Sequence, residues 1–204
     1  MHAGTLHQAA MTTLPMFREY CIWLKTVDDD IVPLRTRAML NIAHARLRVA
    51  KRFAGVRIEK ASPSLVRGYS VGVRLLLSYS AAETMGKAIG PSVKQWAIAD
   101  ESIRRPLQRT GSQLRNWDFV LDKKTRARVD GFVRGEHDNV CVIATALRHL
   151  MAHGHFAPAG KLSMTAAATR AVETLCEHLL AATEQRFVRW FQETTDTTRA
   201  MPRR

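Results

Sequence analysis

Cysteine is scarce in this chain, with three among 204 residues, Cys21, Cys141 and Cys176. An odd number at wide spacing argues against a disulfide framework and a clustered thiolate zinc site, so a reducing cytoplasm is the expected setting. Acidic residues are also few, 18 against 31 Lys and Arg, giving a formal net charge of +13. Such an excess attracts polyanions, nucleic acid foremost, although an anionic membrane surface or plain solubility also fits. Long apolar runs are missing. The greasiest stretch, Val71 to Leu77, is broken by Arg74, and Met1 to Met11 lacks a cationic head followed by an apolar stretch. Neither a membrane span nor a secretion signal is expected. Strand-like alternation between hairpin dipeptides is absent, as are a phosphate-cradling glycine loop, a nucleophile elbow, a paired-carboxylate site and an internal repeat.

What is present is helical periodicity over a 46% hydrophobic composition, enough to bury the core of one domain. The expected fold is an all-α bundle. Pro15 opens a helix to about Val27, and Pro33 opens a longer one through Phe53, with Asp28-Asp29-Asp30 between them. Gly55 closes the second. A helix from about Ser64 to Ile89 carries Leu75, Tyr79, Ala82, Met85 and Ile89 on one stripe and stops at Gly90-Pro91. Short helices are expected over Ser92 to Arg134, with Trp96, Ile98, Ile103, Leu107, Leu114, Trp117, Phe119 and Val120 as anchors. Asp138 or Asn139 caps the next helix, whose inward stripe is Val140, Ile143, Ala144, Leu147 and Met151 and whose stop is Gly154. A final helix is expected from about Ser163 to Gln192. The division that follows is an amino-terminal helical extension over 1–62, a bundle over 63–193 and a flexible basic tail over 194–204.

The segment from Ala146 to Phe156 is the most informative, because it ends an apolar-periodic helix with Arg148 and His153 five residues apart. A permanent cation beside a group that titrates near neutrality suits chemistry on a phosphodiester. On an ideal helix Arg148 lies at the edge of the apolar stripe while His149 and His153 project from the other side. Arg148 and His153 stand about 140° apart around the axis, so one copy does not easily close both onto one phosphate.

Arg148, His149, Leu150 to Ala152, His153 and Gly154 resemble the signature of the HEPN superfamily, which is Arg, a polar residue, a few mostly apolar positions, then His, often followed by Gly. Glu83 and Lys87 resemble the acidic residue and the cation four positions later on that family's first bundle helix. The likeness covers roughly residues 68 to 192. It implies an all-α HEPN-type bundle, here with additional amino-terminal helices, acting as a homodimer whose paired motifs face each other in a composite cleft. The activity it implies is metal-independent RNA cleavage by 2′-hydroxyl attack, with no cofactor and no metal. Arg148 would bind phosphate oxygens, and His153 would move a proton or donate to the scissile phosphate. His149 would orient one partner. Glu83 and Lys87 would position Arg148 and add a phosphate contact, and His155 is a further supporting residue. RNA is the expected partner, with an antitoxin or regulatory protein as another.

Each residue has a plainer use. Glu83 and Lys87 suit an ordinary exposed ion pair, and Arg148 suits capping of carbonyls at a helix end. His149 and His153 have the spacing of two metal ligands, with His155 and His137 nearby, although Leu150 stands where a zinc protease carries glutamate. His2, His7, His44 and His178 read as isolated surface or tail residues, and Tyr20 and Trp23 as core anchors. The cations Arg35, Arg37, Arg46, Arg48, Lys51 and Arg52 fit a solvated face or a nucleic-acid track. The competing functions are thus a HEPN-like module that binds RNA, nucleotide or protein without cleaving, and a basic helical DNA-binding or scaffolding protein.

Overall fold

The structure, a computed structural model, describes residues 13–114, 121–153 and 165–200. Seven α-helices occur among them: α1 (Phe17–Trp23), α2 (Leu34–Arg52), α3 (Pro63–Ile89), α4 (Glu101–Leu114), α5 (Lys123–Arg134), α6 (Cys141–Ala152) and α7 (Ala166–Ala200). A single 3₁₀ turn spans Val93–Gln95, and no strand forms among the described residues beyond an isolated bridge between Ala99 and Asn139. The all-α expectation is met.

The helix boundaries follow local chemistry. Ser62 accepts a hydrogen bond from the Leu65 amide at 3.3 Å, and Pro63 fills the first helical position of α3, where its missing N–H costs nothing. Asp122 caps α5 by accepting from the Thr125 amide at 2.9 Å. Gly135 ends α5 in the left-handed region at φ 78°, its amide and that of Glu136 reaching the carbonyls of Phe132 and Gly131 at 3.1 and 2.9 Å. Ahead of α6, Asn139 Oδ1 takes the Cys141 amide at 3.1 Å, so the expected capping residue is in use one position earlier than the usual cap.

Two apolar clusters share α3 and α7. The larger surrounds α6, of which Cys141 to Leu147 and Leu150 are buried against Leu75, Tyr79, Leu107, Phe132, Val172 and Leu175. The smaller joins Leu14, Tyr20 and the inward face of α2 (Leu40, Ala43, Leu47, Ala50) to Met85, Leu180, Phe187 and Phe191. Residues 14–50 therefore bury a core of their own against the same two long helices. Each fully buried aliphatic or aromatic side chain contributes about 1.5–3 kcal/mol, so helices α1 and α2 are held by far more than a tether.

Two expectations change. The last helix continues to Ala200 instead of ending near Gln192, so most of the segment expected as a flexible tail is helical. Its threonine hydroxyls bond back to the preceding turn: Thr194, Thr197 and Thr198 donate to the carbonyls of Trp190, Glu193 and Thr194 at 2.7, 2.8 and 2.8 Å. The first helix is shorter than expected, Phe17–Trp23, because residue 24 already starts a turn. The anchors expected at Trp117, Phe119 and Val120 lie outside the described residues. No described helix is long and apolar enough to cross a membrane.

Candidate active site

Glu83 and Lys87 sit one and two turns beyond Tyr79 on α3, on one stripe of the helix. Tyr79 is buried, Glu83 is half-buried and Lys87 is exposed, so the stripe climbs from the core to solvent. Arg148 of α6 meets that stripe. Its Nη2 lies 3.7 Å from Glu83 Oε2, while Lys87 Nζ lies 3.7 Å from Glu83 Oε1. One carboxylate therefore faces two cations from two helices and leaves one positive charge uncompensated.

The underside of the arginine is also fixed. Its guanidinium carbon lies 5.6 Å from the centroid of the Tyr79 ring. Tyr79 is pinned through its hydroxyl, 3.3 Å from Thr145 Oγ1, and Thr145 donates to the Cys141 carbonyl at 3.0 Å. Burial pushes the Tyr79 phenol above its ordinary pKa, which keeps it a neutral hydrogen-bonding group. Tyr79 read as a core stripe residue in the sequence; its contact with Arg148 depends on a helix 69 positions away and has no local signal.

The histidines form a second group. His149 is half-buried and His153 exposed, with ring centroids 4.5 Å apart. The His153 amide still reaches the His149 carbonyl at 3.2 Å as the helix unwinds. No hydrogen bond, ion pair or ring contact joins Arg148 to His153, in keeping with their angular separation on α6. Gly154 and His155 lie outside the described residues. Among the described residues no three His, Cys, Asp or Glu side chains converge as a metal site.

The basic helix α2 is partly consumed by internal contacts. Arg37 pairs with Asp29 at 2.7 Å and donates to the Val32 carbonyl, Arg46 donates to Thr84 Oγ1 at 2.5 Å, and Lys51 pairs with Glu184. These bonds fasten α2 to the rest of the fold and withdraw three of its cations from a continuous nucleic-acid track.

Two histidines read as isolated are not. The His44 ring lies 3.9 Å from that of Phe17, and burial lowers its pKa. His178 Nε2 lies 2.6 Å from Asp100 Oδ2. The partner is 78 positions upstream, which no reading of local spacing reveals. No protein-family model matches this chain, and neither a curated protein nor a solved structure is significantly similar to it.

Proposed function

We propose that this protein is a metal-independent endoribonuclease of the HEPN type that works as a homodimer, with Arg148 and His153 as catalytic residues. The observation that carries the reading is the Glu83 carboxylate between Lys87 and Arg148, the residues that the motif resemblance pairs from two distant segments. The arginine is pre-aimed yet about a third exposed, so it retains donors for a phosphate.

In the reaction, a base removes the proton of the 2′-hydroxyl as its oxygen attacks the adjacent phosphorus. The 5′ oxygen then leaves with a proton from an acid, yielding a 2′,3′-cyclic phosphate and a free 5′-hydroxyl. An imidazole can carry out either proton transfer. That is the part of His153. Arg148, always protonated, stabilises the doubly charged oxygens of the phosphorane. Because the two groups do not meet within one protomer, the cleft takes Arg148 from one copy and His153 from another across a two-fold axis. Lys87 adds a phosphate contact at the rim, and His149 orients His153. The excess of positive charge draws RNA in, and would equally suit an acidic antitoxin or regulatory protein that occludes the cleft.

A second reading rests on the same contacts. Arg148 is already engaged by Glu83 and Tyr79, as a purely structural arginine would be, which fits a HEPN-like module that binds RNA without cutting it.

Incubating the purified protein with labelled single-stranded RNA in chelator separates the two. The nuclease reading expects cyclic phosphate ends that vanish in Arg148→Ala and His153→Ala. Binding without turnover in all three proteins supports the module.

A further inference from the structure

Away from the Arg148 cluster, residues 96–99 and α7 enclose a groove of about 330 Å³. One wall is rigid. Trp96 is fully buried and its indole N–H donates to the Pro91 carbonyl at 2.9 Å. Asn139 donates to the Trp96 carbonyl at 2.8 Å and accepts from the Ile98 amide at 3.3 Å, while the Val140 amide reaches the Ile98 carbonyl at 2.9 Å. The other wall is α7, where small alanines leave room and Gln185, Arg186 and Arg189 supply donors.

The charges in this groove are unbalanced. The Arg186 guanidinium is half-buried, 4.5 Å from the centroid of the Trp96 ring. Burial and repulsion from Arg189 both lower its pKa. Among the described residues neither arginine has an ion pair or a side-chain hydrogen bond. Two acids beside the groove are committed elsewhere: Asp100 to His178 and to the amide and hydroxyl of Ser102, at 2.6, 2.8 and 2.6 Å, and Glu184 to Lys51. A partly desolvated cation with a like charge beside it and no ion-pair partner among the described residues is unfavourable, and an anion in the groove relieves it.

We propose that the groove binds a small phosphate-bearing molecule, its phosphate held by Arg186 and Arg189 and its remainder lying over Ile98 and the α7 alanines. The volume falls at the small end of ligand pockets, which run from about 300 to 1,000 Å³. Two guanidinium groups at i and i+3 match the oxygens of a phosphate better than two ammonium groups would. The site is separate from the candidate nuclease centre. None of Glu83, Lys87, Arg148 and His153 lines the groove.

The test is a titration of the full chain with inorganic pyrophosphate and with adenosine monophosphate at fixed ionic strength, following the Trp96 indole resonance by NMR. Saturable binding that shifts this resonance is expected, with at least about tenfold weaker affinity in Arg186→Gln and in Arg189→Gln. Arg189 is exposed, so its variant keeps the test valid if Arg186→Gln folds poorly. A silent Trp96 resonance, or unchanged affinity in Arg189→Gln, overturns the proposal. So does a uridine oligonucleotide that perturbs Trp96 through both arginines when neither small phosphate does, since that assigns the groove to nucleic acid.

Discussion

Glu83 Oε2 stands 3.7 Å from Arg148 Nη2, and this ion pair ties the two segments singled out in the sequence to each other across the α3–α6 contact. Removing the carboxylate in Glu83→Gln leaves Arg148 and Lys87 to repel each other. Because the group is about a third exposed, folding stability changes by less than about 1 kcal/mol. On the proposed nuclease function, the rate of RNA cleavage is expected to fall by about tenfold or more, in kcat more than in KM, because the displaced arginine would act on the transition state. Single-turnover and steady-state kinetics beside a thermal melt check this, with Glu83→Asp recovering part of the loss.

Gly86 lies inside that stripe and admits no side chain. A Cβ there would meet the Pro91 carbonyl oxygen at 2.7 Å and Ser92 Cα at 3.3 Å, both backbone atoms of the turn that ends α3. Gly86→Ala destabilises by roughly 1–3 kcal/mol. At Gly72 the clash would be with the methyl end of the Met151 side chain, which can swing away. Gly72→Ala stays within about 1 kcal/mol of the parent, helped by the better helix propensity of alanine. Denaturant unfolding of the two variants distinguishes them.

The thiols divide by burial. Cys141 and Cys176 are buried and their pKa values are pushed up to about 12, whereas Cys21 is only partly covered and its pKa is raised less. Native protein takes one alkyl label, at Cys21, and denatured protein takes three. Mass spectrometry after iodoacetamide treatment measures the difference.

Asp100 is a site of acid sensitivity. Hydrogen bonds from Ser102 and His178 hold its carboxyl down at about 2, below its ordinary value of 3.8. A carboxyl lowered in the folded state stabilises above its unfolded pKa and loses that contribution as pH falls through the folded one. The contribution is therefore complete above about pH 4 and lost toward pH 2, about 1 kcal/mol after solvent screening. Asp100→Asn flattens this part of the stability profile, as melts across the acid range record.

Much of the fold was legible because burial repeats along the helices. The stripe from Val140 to Leu147 marks α6, and Gly90-Pro91 marks the end of α3, whereas the Ser62 cap and Pro63 that start α3 emerge from the structure. The end of α7 was not legible, since Thr194 to Thr198 have low helix propensity and their hydroxyl bonds to the preceding turn appear only once the helix exists. At the candidate site, the motif resemblance picked out Glu83, Lys87, Arg148 and His153, each within one short segment of the chain. Tyr79 under Arg148, Asp100 beside His178 and Arg186 over Trp96 join distant segments, and only packing brings them together.

The central claim is that one cleft draws Arg148 from one protomer and His153 from another. Mixing Arg148→Ala protein with His153→Ala protein under conditions of subunit exchange, then assaying RNA cleavage in chelator, tests it directly. Two inactive variants are predicted to regain cleavage together, up to about a quarter of the wild-type rate for random exchange with one intact cleft per mixed dimer. A mixture as inactive as its parts, beside an active wild type, contradicts the shared cleft.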